Sequence, residues 1–279
     1  AVGDRIAIFT NNDDAYRTAH DLHQLGVEIA AVIDSRPEAP KSNSFEVLSA
    51  SEVVNTHGRL GLNSIDVKTP QGLRQIQVSG LGVSGGWNPN IHLTCHQRGR
   101  PQWDAALSAF IPSAELPEGL HVAGAANGQM TTAAAIDDAV KKAAKITKGF
   151  GRKPTMLTKL KISDESTSIT PFWYVTGTER GWVDQQNDVT VKDIKLAHQE
   201  NFRSVEHLKR YTTLGMATDQ GKTSNVLGLA IMAHTAGQSI PDTGTTIYRP
   251  PYSPSAIGVF AGRSRDMDFR PIRKTPSHK

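Results

Sequence analysis

The stretch from Arg5 to Asp34 constrains the fold more than any other. Arg5-Ile6-Ala7-Ile8-Phe9 reads as a short buried strand. Asp13 or Asp14 can cap a helix that starts at Ala15, because a short carboxylate accepts the free first-turn amides. Ala15, Ala19 and Leu22 recur at helical spacing, and Gly26 can take the left-handed conformation that ends a helix. Val27-Glu28-Ile29-Ala30-Ala31-Val32-Ile33-Asp34 then reads as a second strand, so apolar that both of its faces are expected to be covered. Strand, helix and strand within about 30 residues make a βαβ unit with a right-handed crossover. The expected class is α/β with a partial Rossmann-like arrangement.

A unit of this kind raises the question of a dinucleotide. Asp34 stands where a carboxylate would accept hydrogen bonds from an adenosine ribose. The first turn argues against that role. It reads Thr10-Asn11-Asn12-Asp13-Asp14, with no glycine. A Gly-x-Gly-x-x-Gly turn exists because side chains block the approach of a pyrophosphate to the helix amides, and two aspartates at a helix start repel phosphate. A capped helix without a ligand is the better reading of this turn.

Two later stretches carry more. Within Arg74–Asn90 a strand leads into a glycine-rich loop closed by Asn88-Pro89-Asn90, where glycines permit a tight turn or the approach of a ligand. Gly119-Leu120-His121-Val122-Ala123-Gly124-Ala125-Ala126-Asn127-Gly128-Gln129-Met130-Thr131-Thr132 reads as a strand ending at Ala123, a turn of small residues and a helix start capped by Thr132. Ile136, Ala139, Val140 and Ala143 give that helix one apolar face. Its start offers free amides and a positive dipole end to a phosphate or ribose. Tight packing of a strand on a helix explains the same small residues, and both readings stand.

Composition narrows the remaining classes. Lys+Arg total 31 against 27 Asp+Glu in 279 residues, so the net charge is only +4, and the basic residues are scattered apart from the tail Arg263–Lys279. No dense basic stripe of the kind that releases counterions from nucleic acid is present. Apolar runs fall well short of the roughly 20 residues of a membrane span, and Ala1–Asp4 leads into the first strand without the pattern of a signal peptide. Cys95 is the single cysteine, which excludes an internal disulfide and a cysteine-ligated zinc or iron–sulfur site; it also fits a cytoplasmic location. Cys95 stands beside His92 and His96, but without a third ligand the trio reads as packing. No nucleophile–base pair is legible.

Resemblance enters with the second half. Gly85-Gly86-Trp87-Asn88-Pro89-Asn90 and Ala123–Gly128 resemble the G-x-x-P-N loop and closing turn of flavoproteins with two dinucleotide domains. Gly181–Thr190, Ser204–Asn225 and Ser253–Arg265 resemble the alpha subunit of heterotetrameric sarcosine oxidase, and the likeness runs through nearly the whole chain. The long stretch Lys209–Asn225 is the most specific part. On that resemblance the chain is expected to begin inside the second dinucleotide domain. Residues 1–78 would form an inserted Rossmann-like domain, 79–150 the return of the first dinucleotide domain, 151–245 a small helical linker domain, and 246–279 an extended tail holding Ile247-Tyr248-Arg249-Pro250-Pro251-Tyr252-Ser253-Pro254.

The family implies oxidative demethylation of sarcosine to glycine, with one-carbon transfer to tetrahydrofolate and formation of hydrogen peroxide, in a complex with beta, gamma and delta subunits. It implies NAD held by Gly124, Ala125, Met130 and Thr132, FAD and FMN on a partner subunit, and tetrahydrofolate in a domain outside this chain. Lys209, Arg210, Thr213, Lys222 and Thr223 are the expected flavin-interface residues, since cations and hydroxyls donate hydrogen bonds to anionic oxygens. The alternative reading of these residues is a solvated helix–loop–helix. The alternatives for the chain are an alpha subunit of a related amine, opine or proline dehydrogenase, a non-catalytic scaffold, or a free-standing NAD-dependent reductase.

In related dehydrogenase subunits, Cys-x-Cys and Cys-Gln-Gly-Arg-x-Cys loops hold an iron–sulfur cluster. The corresponding positions here are Asp184, Gln186, Asp219 and Ser224. Oxygen and amide groups do not replace thiolates on such a cluster, so none is expected. The helices of that domain show their own signals. Thr190 and Asp193 have capping-box spacing ahead of Val191, Ile194 and Ala197. Ser204 can cap a helix with Val205 and Leu208 inward. Ser224 or Asn225 can cap one carrying Val226, Leu229, Ala230 and Ala233 that Gly237 ends.

Overall fold

The structure is a computed structural model and describes residues 3–96, 99–155, 162–177, 180–249, 253–261, 263 and 274–278. The βαβ unit forms as the sequence indicates. Strand β1 (Arg5–Thr10), helix α1 (Asp14–Gln24) and strand β2 (Glu28–Asp34) follow in order, and β1 pairs in parallel with β2. Gly26 has φ +84, and the Gly26 and Val27 amides close on the carbonyls of His23 and Leu22. Ala15, Tyr16 and Ala19 of α1 are buried against Ile6, Ile8 and Val32.

Strand β3 (Val47–Leu48) flanks β2 in the same sheet. Strands β4 (Glu52–His57), β5 (Ser64–Thr69) and β6 (Gly72–Gln77) make a separate antiparallel sheet. Its inward residues Val53, Ile65, Val67 and Ile76 pack on Ala7, Ala31 and Ile33, so both faces of β1 and β2 are covered. Strand β7 (Gly80–Ser84) then returns to pair in parallel with the free edge of β1, giving the order β3-β2-β1-β7. Over Arg74–Asn90 a single strand running into a glycine-rich loop is expected. Instead β6 and β7 lie in different sheets, because a bend at Val78-Ser79 redirects the chain; the Ser79 amide bonds the Arg5 carbonyl. The pairing of β7 with β1 crosses the domain boundary expected after residue 78.

Beyond β7 come a short helix α2 (His92–Cys95) and a hairpin of β8 (Gln102–Asp104) with β9 (Ala109–Ile111). The strand expected before Gly124 does not form. Ala123 is extended, at φ −139 and ψ 161, but no neighbouring strand among the described residues pairs with it. Gly124–Asn127 turn as a 3-10 helix, and α3 (Thr132–Gly149) follows. Its cap is Thr131 rather than Thr132: the Thr131 hydroxyl oxygen accepts the Ala134 amide at 3.2 Å, and Thr132 is already the first helical residue. The apolar stripe Ile136, Ala139, Val140 and Ala143 is present on α3, yet no residue of this helix is buried.

The second half folds around its own core. Hairpin strands β10 (Trp182–Asp184) and β11 (Val189–Thr190) lead into α4 (Val191–Gln199), followed by α5 (Val205–Thr212), α6 (Asn225–Ala236) and α7 (Ile240–Thr243). The capping box is complete: Thr190 accepts the Asp193 amide, and Asp193 accepts the Thr190 amide at 2.7 Å. Ser204 caps α5 through the His207 amide, and Gly237 ends α6 at φ +64. Val183, Val189, Ile194, Ala197, Leu208, Leu214, Ile231 and Met232 form the core. Ser224 stands at the start of α6, but makes no cap bond with its side chain. Its hydroxyl is directed at Asp184 instead. Of the expected tail, Pro250–Tyr252 and Ser264–Arg273 lie outside the described residues.

Candidate functional site

The turn after β1 has no glycine, and its side chains are taken up by an internal hydrogen-bond network. The Asp13 carboxylate does not cap α1. It accepts hydrogen bonds from the Arg36 guanidinium at 2.7 Å, the Ser166 hydroxyl and the Ser168 amide. Arg36 also forms a bidentate pair with Asp34, which is fully buried and accepts the Tyr16 hydroxyl at 2.8 Å. Burial raises the pKa of Asp13, but its bonds to Ser166 and Arg36 outweigh that and leave the group below the ordinary carboxylate range. Burial and the Asp34 carboxylate push the Tyr16 phenol well above its usual value. Asp34 is thus spent on an internal ion pair, and no ribose-binding role falls to it.

Residues 165–170 lie over this end of the sheet. The Asp13 amide bonds the Ser168 carbonyl, the Thr170 amide bonds the Asn11 carbonyl, and the Asn11 side chain bonds the Thr170 carbonyl at 2.8 Å. Phe172 meets Phe9 edge-on, with ring centroids 5.9 Å apart. Open sheets of this type hold ligands in the crevice outside the carboxyl ends of their strands. Here the chain itself covers that crevice over β1.

Beside this strap lies a cavity of about 340 Å³. Trp87, Leu107, Ala125, Met130 and Ile169 supply most of its apolar wall, while Asp14, Arg17, Asn88, Glu165 and Thr167 stand among them. The Trp87 indole donates to the Asp14 carboxylate at 3.0 Å, and Asp14 in turn pairs with Arg17. Gly86 has φ +104, a conformation that favours glycine, and a Cβ there would meet the Cδ1 end of Ile169 at 2.5 Å, so a larger residue would strain the loop and displace that side chain.

The four expected dinucleotide residues are distributed unequally around it. Ala125 and Met130 line the cavity. Thr132 stands at its edge, donating both its amide (2.9 Å) and its hydroxyl (2.7 Å) to the Glu165 carboxylate, which does line it. Those bonds hold Glu165 below the ordinary carboxylate range. Gly124 is not part of the lining. Its φ of +68 and the bond from its amide to Asp138 tie the 3-10 turn onto α3, which accounts for the glycine. Sequence reasoning missed Glu165, Trp87 and the strap, since nothing in the spacing links residue 165 to residue 132.

The five residues expected at a flavin do not gather in one cavity. Lys209 lines a small depression with Leu208, Leu214, Asn225 and Thr245; burial lowers its pKa. Arg210 pairs with Glu206 one helical turn away. Thr213 takes the left-handed conformation that ends α5, and Thr223 is exposed. Lys222 is close enough to His92 to help lower its pKa, after burial and His96. Cys95 is buried, donates to the Ile91 carbonyl, and has its pKa raised by burial. Among the described residues no cluster of His, Cys, Asp and Glu has metal-binding geometry, and no helix is long and apolar enough to cross a membrane.

The four positions matching cluster cysteines do come together. Asp184 accepts the Gln186 and Asn187 amides on one oxygen, and the Gly215 amide (2.8 Å), the Asn187 side chain and the Ser224 hydroxyl on the other. Gln186 accepts the Asp219 amide at 3.1 Å. Hydrogen bonds thus join the two loops. Burial raises the Asp184 pKa, but these donors outweigh it and leave the carboxylate below its ordinary range.

Comparison with known proteins agrees with this architecture. Residues 178–263 match the family described as sarcosine oxidase A3 domain. The whole chain is 38% identical over 283 residues to sarcosine oxidase subunit alpha of Rhizobium meliloti (strain 1021), covering 29% of that protein. It is 34% identical over 304 residues to the subunit of the same name from Corynebacterium sp. (strain P-1), covering 99% of this chain and 31% of that one. The fold resembles that of L-proline dehydrogenase from P. horikoshii, with a TM-score of 0.70, 16% identity, and coverage of 93% of this chain and 50% of the other. The chain spans about three tenths of the length of these curated relatives, and over that segment it is similar to sarcosine oxidase alpha subunits along its whole length.

Proposed function

We propose that this segment works within a sarcosine oxidase alpha subunit, binding NAD in the cavity between the 85–88 loop and the 124–132 turn and holding the subunit against its flavin-bearing partner. The observation that carries the dinucleotide reading is the cavity itself, with Ala125 and Met130 in its wall and Thr132 at its edge. Its volume is at the small end of ligand cavities, which run from about 300 to 1,000 Å³. That suits one ring-bearing half of a dinucleotide against Trp87 and Met130. The other half would extend past Thr132, whose amide and hydroxyl are the donors an anionic oxygen needs at a helix start.

No hydride-transfer role follows for this NAD. The described residues around the cavity include no general acid or base without a partner: Asp14 is held by Arg17 and Trp87, and Glu165 by Thr132. The substrate chemistry belongs, on this reading, to flavin on the beta subunit, with FAD and FMN supplying oxidation and tetrahydrofolate accepting the one-carbon unit elsewhere in the assembly. The reaction is oxidation of sarcosine to glycine with hydrogen peroxide as the reduced oxygen product. The proposed contact with the flavin partner runs through Lys209, Arg210, Thr213, Lys222 and Thr223. A location in the cytoplasm fits the single buried thiol.

The test is to purify the chain with its co-expressed partner subunits, measure sarcosine-dependent peroxide formation, and analyse the nucleotide released on denaturation. Stoichiometric NAD together with peroxide formation supports the proposal. Peroxide formation without any released NAD would remove the dinucleotide role and leave a scaffold.

A further inference from the structure

The strap over the sheet ends in a second contact at the start of α3, at an amide that the Thr131 cap does not serve. Thr131 already caps α3, satisfying the Ala134 amide with its hydroxyl and the Ala135 amide with its carbonyl. Glu165 nevertheless reaches across 33 residues of sequence and takes both the Thr132 amide and the Thr132 hydroxyl on one oxygen. The same carboxylate borders the 340 Å³ cavity, with Thr167 and Ile169 of the strap beside it. Arg17, at 4.0 Å, is the nearest cation in an ion pair with it.

We propose that Glu165 is a latch at the cavity edge: its carboxylate occupies the donors of Thr132 that an anionic ligand oxygen needs, and swings away when such a ligand displaces it. The proposal rests on the dinucleotide reading of the cavity and adds its regulation. A carboxylate and a phosphate oxygen compete for the same pair of donors, and only one can hold them. The anchors of the strap are separate from the latch. Ser166 and Ser168 are fastened to Asp13, and Arg36 to the Ser168 carbonyl at 3.2 Å. Releasing Glu165 therefore frees the cavity edge while the strap stays attached to β1 through Thr170 and Asn11.

A stabilising cap and a competing latch predict opposite signs for one substitution. If Glu165 only stabilised α3, Glu165→Ala would leave ligand binding equal or weaker. As a latch, its removal tightens binding. Titration calorimetry of NAD into the purified full chain is the measurement, with wild type, Glu165→Ala and Glu165→Gln compared. Thermal unfolding of each variant serves as the control for folding. The expected result is a Kd at least about fivefold lower for Glu165→Ala, the lower end of ordinary coupling between two occupants of a protein. Glu165→Gln keeps an acceptor oxygen without the charge and should fall between the two. Binding by wild type with an equal or higher Kd in both variants overturns the latch and leaves the dinucleotide reading intact. Binding by none of the three, with all of them folded, overturns the dinucleotide reading itself.

Discussion

Asp184 joins the two loops of the helical half, and its removal should be costly in a calculable way. Five donors converge on this carboxylate. The Gln186 and Asn187 groups sit in a turn at the surface and can turn to water. The Gly215 amide and the Ser224 hydroxyl are buried and have nowhere else to go. An unsatisfied buried donor costs about 1–3 kcal/mol, so Asp184→Ala should cost about 4 kcal/mol. Asp184→Asn keeps one acceptor oxygen but sets an amide N–H against the Gly215 N–H or the turn amides, and should cost about half as much. In a unit of roughly 60–100 residues each kcal/mol shifts Tm by about 4–8 °C. Thermal unfolding followed by Trp fluorescence, with Trp173 and Trp182 in this half, is the assay. The pH dependence fixes the mechanism. The folded pKa of Asp184 lies below its unfolded value, so its contribution is complete above the unfolded value and is lost as pH falls through the folded one. The difference in Tm between wild type and Asp184→Asn should therefore shrink below about pH 4. A variant within about 3 °C of wild type at neutral pH, or a gap that does not narrow in acid, would refute the reasoning.

Further outcomes follow from the same structure. Arg36→Ala strands the buried Asp34 and Asp13 without their cation and should destabilise by about 3–5 kcal/mol in urea unfolding. Tyr16→Phe removes one bond to Asp34 and should cost only about 1–2 kcal/mol in the same assay. Gly215→Ala and Gly221→Ala place a Cβ 2.1 Å from the Asn225 side-chain oxygen at positive φ, and each should cost about 1–3 kcal/mol in thermal unfolding. Gly228→Ala should be milder, since its Cβ would meet only the flexible end of Leu214 and gains about 1 kcal/mol of helix propensity.

Signals that act within a few residues are legible in the sequence. The period of Ala15, Ala19 and Leu22, the αL stop at Gly26 and the box of Thr190 with Asp193 all reappear in the structure. The failures share a physical cause. Asp13 and Ser224 have good capping side chains, but Arg36 and Asp184 offer charged partners that compete for them. Gly80 and Gly82 read as a loop because glycine weakens strands, yet pairing with β1 supplies the missing bonds. The extended residues before Gly124 find no partner strand among those described. The cavity depended on residues 87, 125 and 165 meeting in space, which no periodicity encodes. Ala125, Met130 and Thr132 came from family resemblance, and the geometry adds Glu165 and Trp87 beside them.

The measurement closest to the centre of this reading is NAD binding to the purified full chain when the cavity is filled from within. Ala125→Trp puts a large ring in place of a small wall residue, on a turn whose own bonds to Asp138 are made by Gly124 and Asn127. Calorimetric binding of NAD to wild type, with none to a folded Ala125→Trp chain, is the predicted result. Equal affinity in the two proteins would place the nucleotide elsewhere and contradict it.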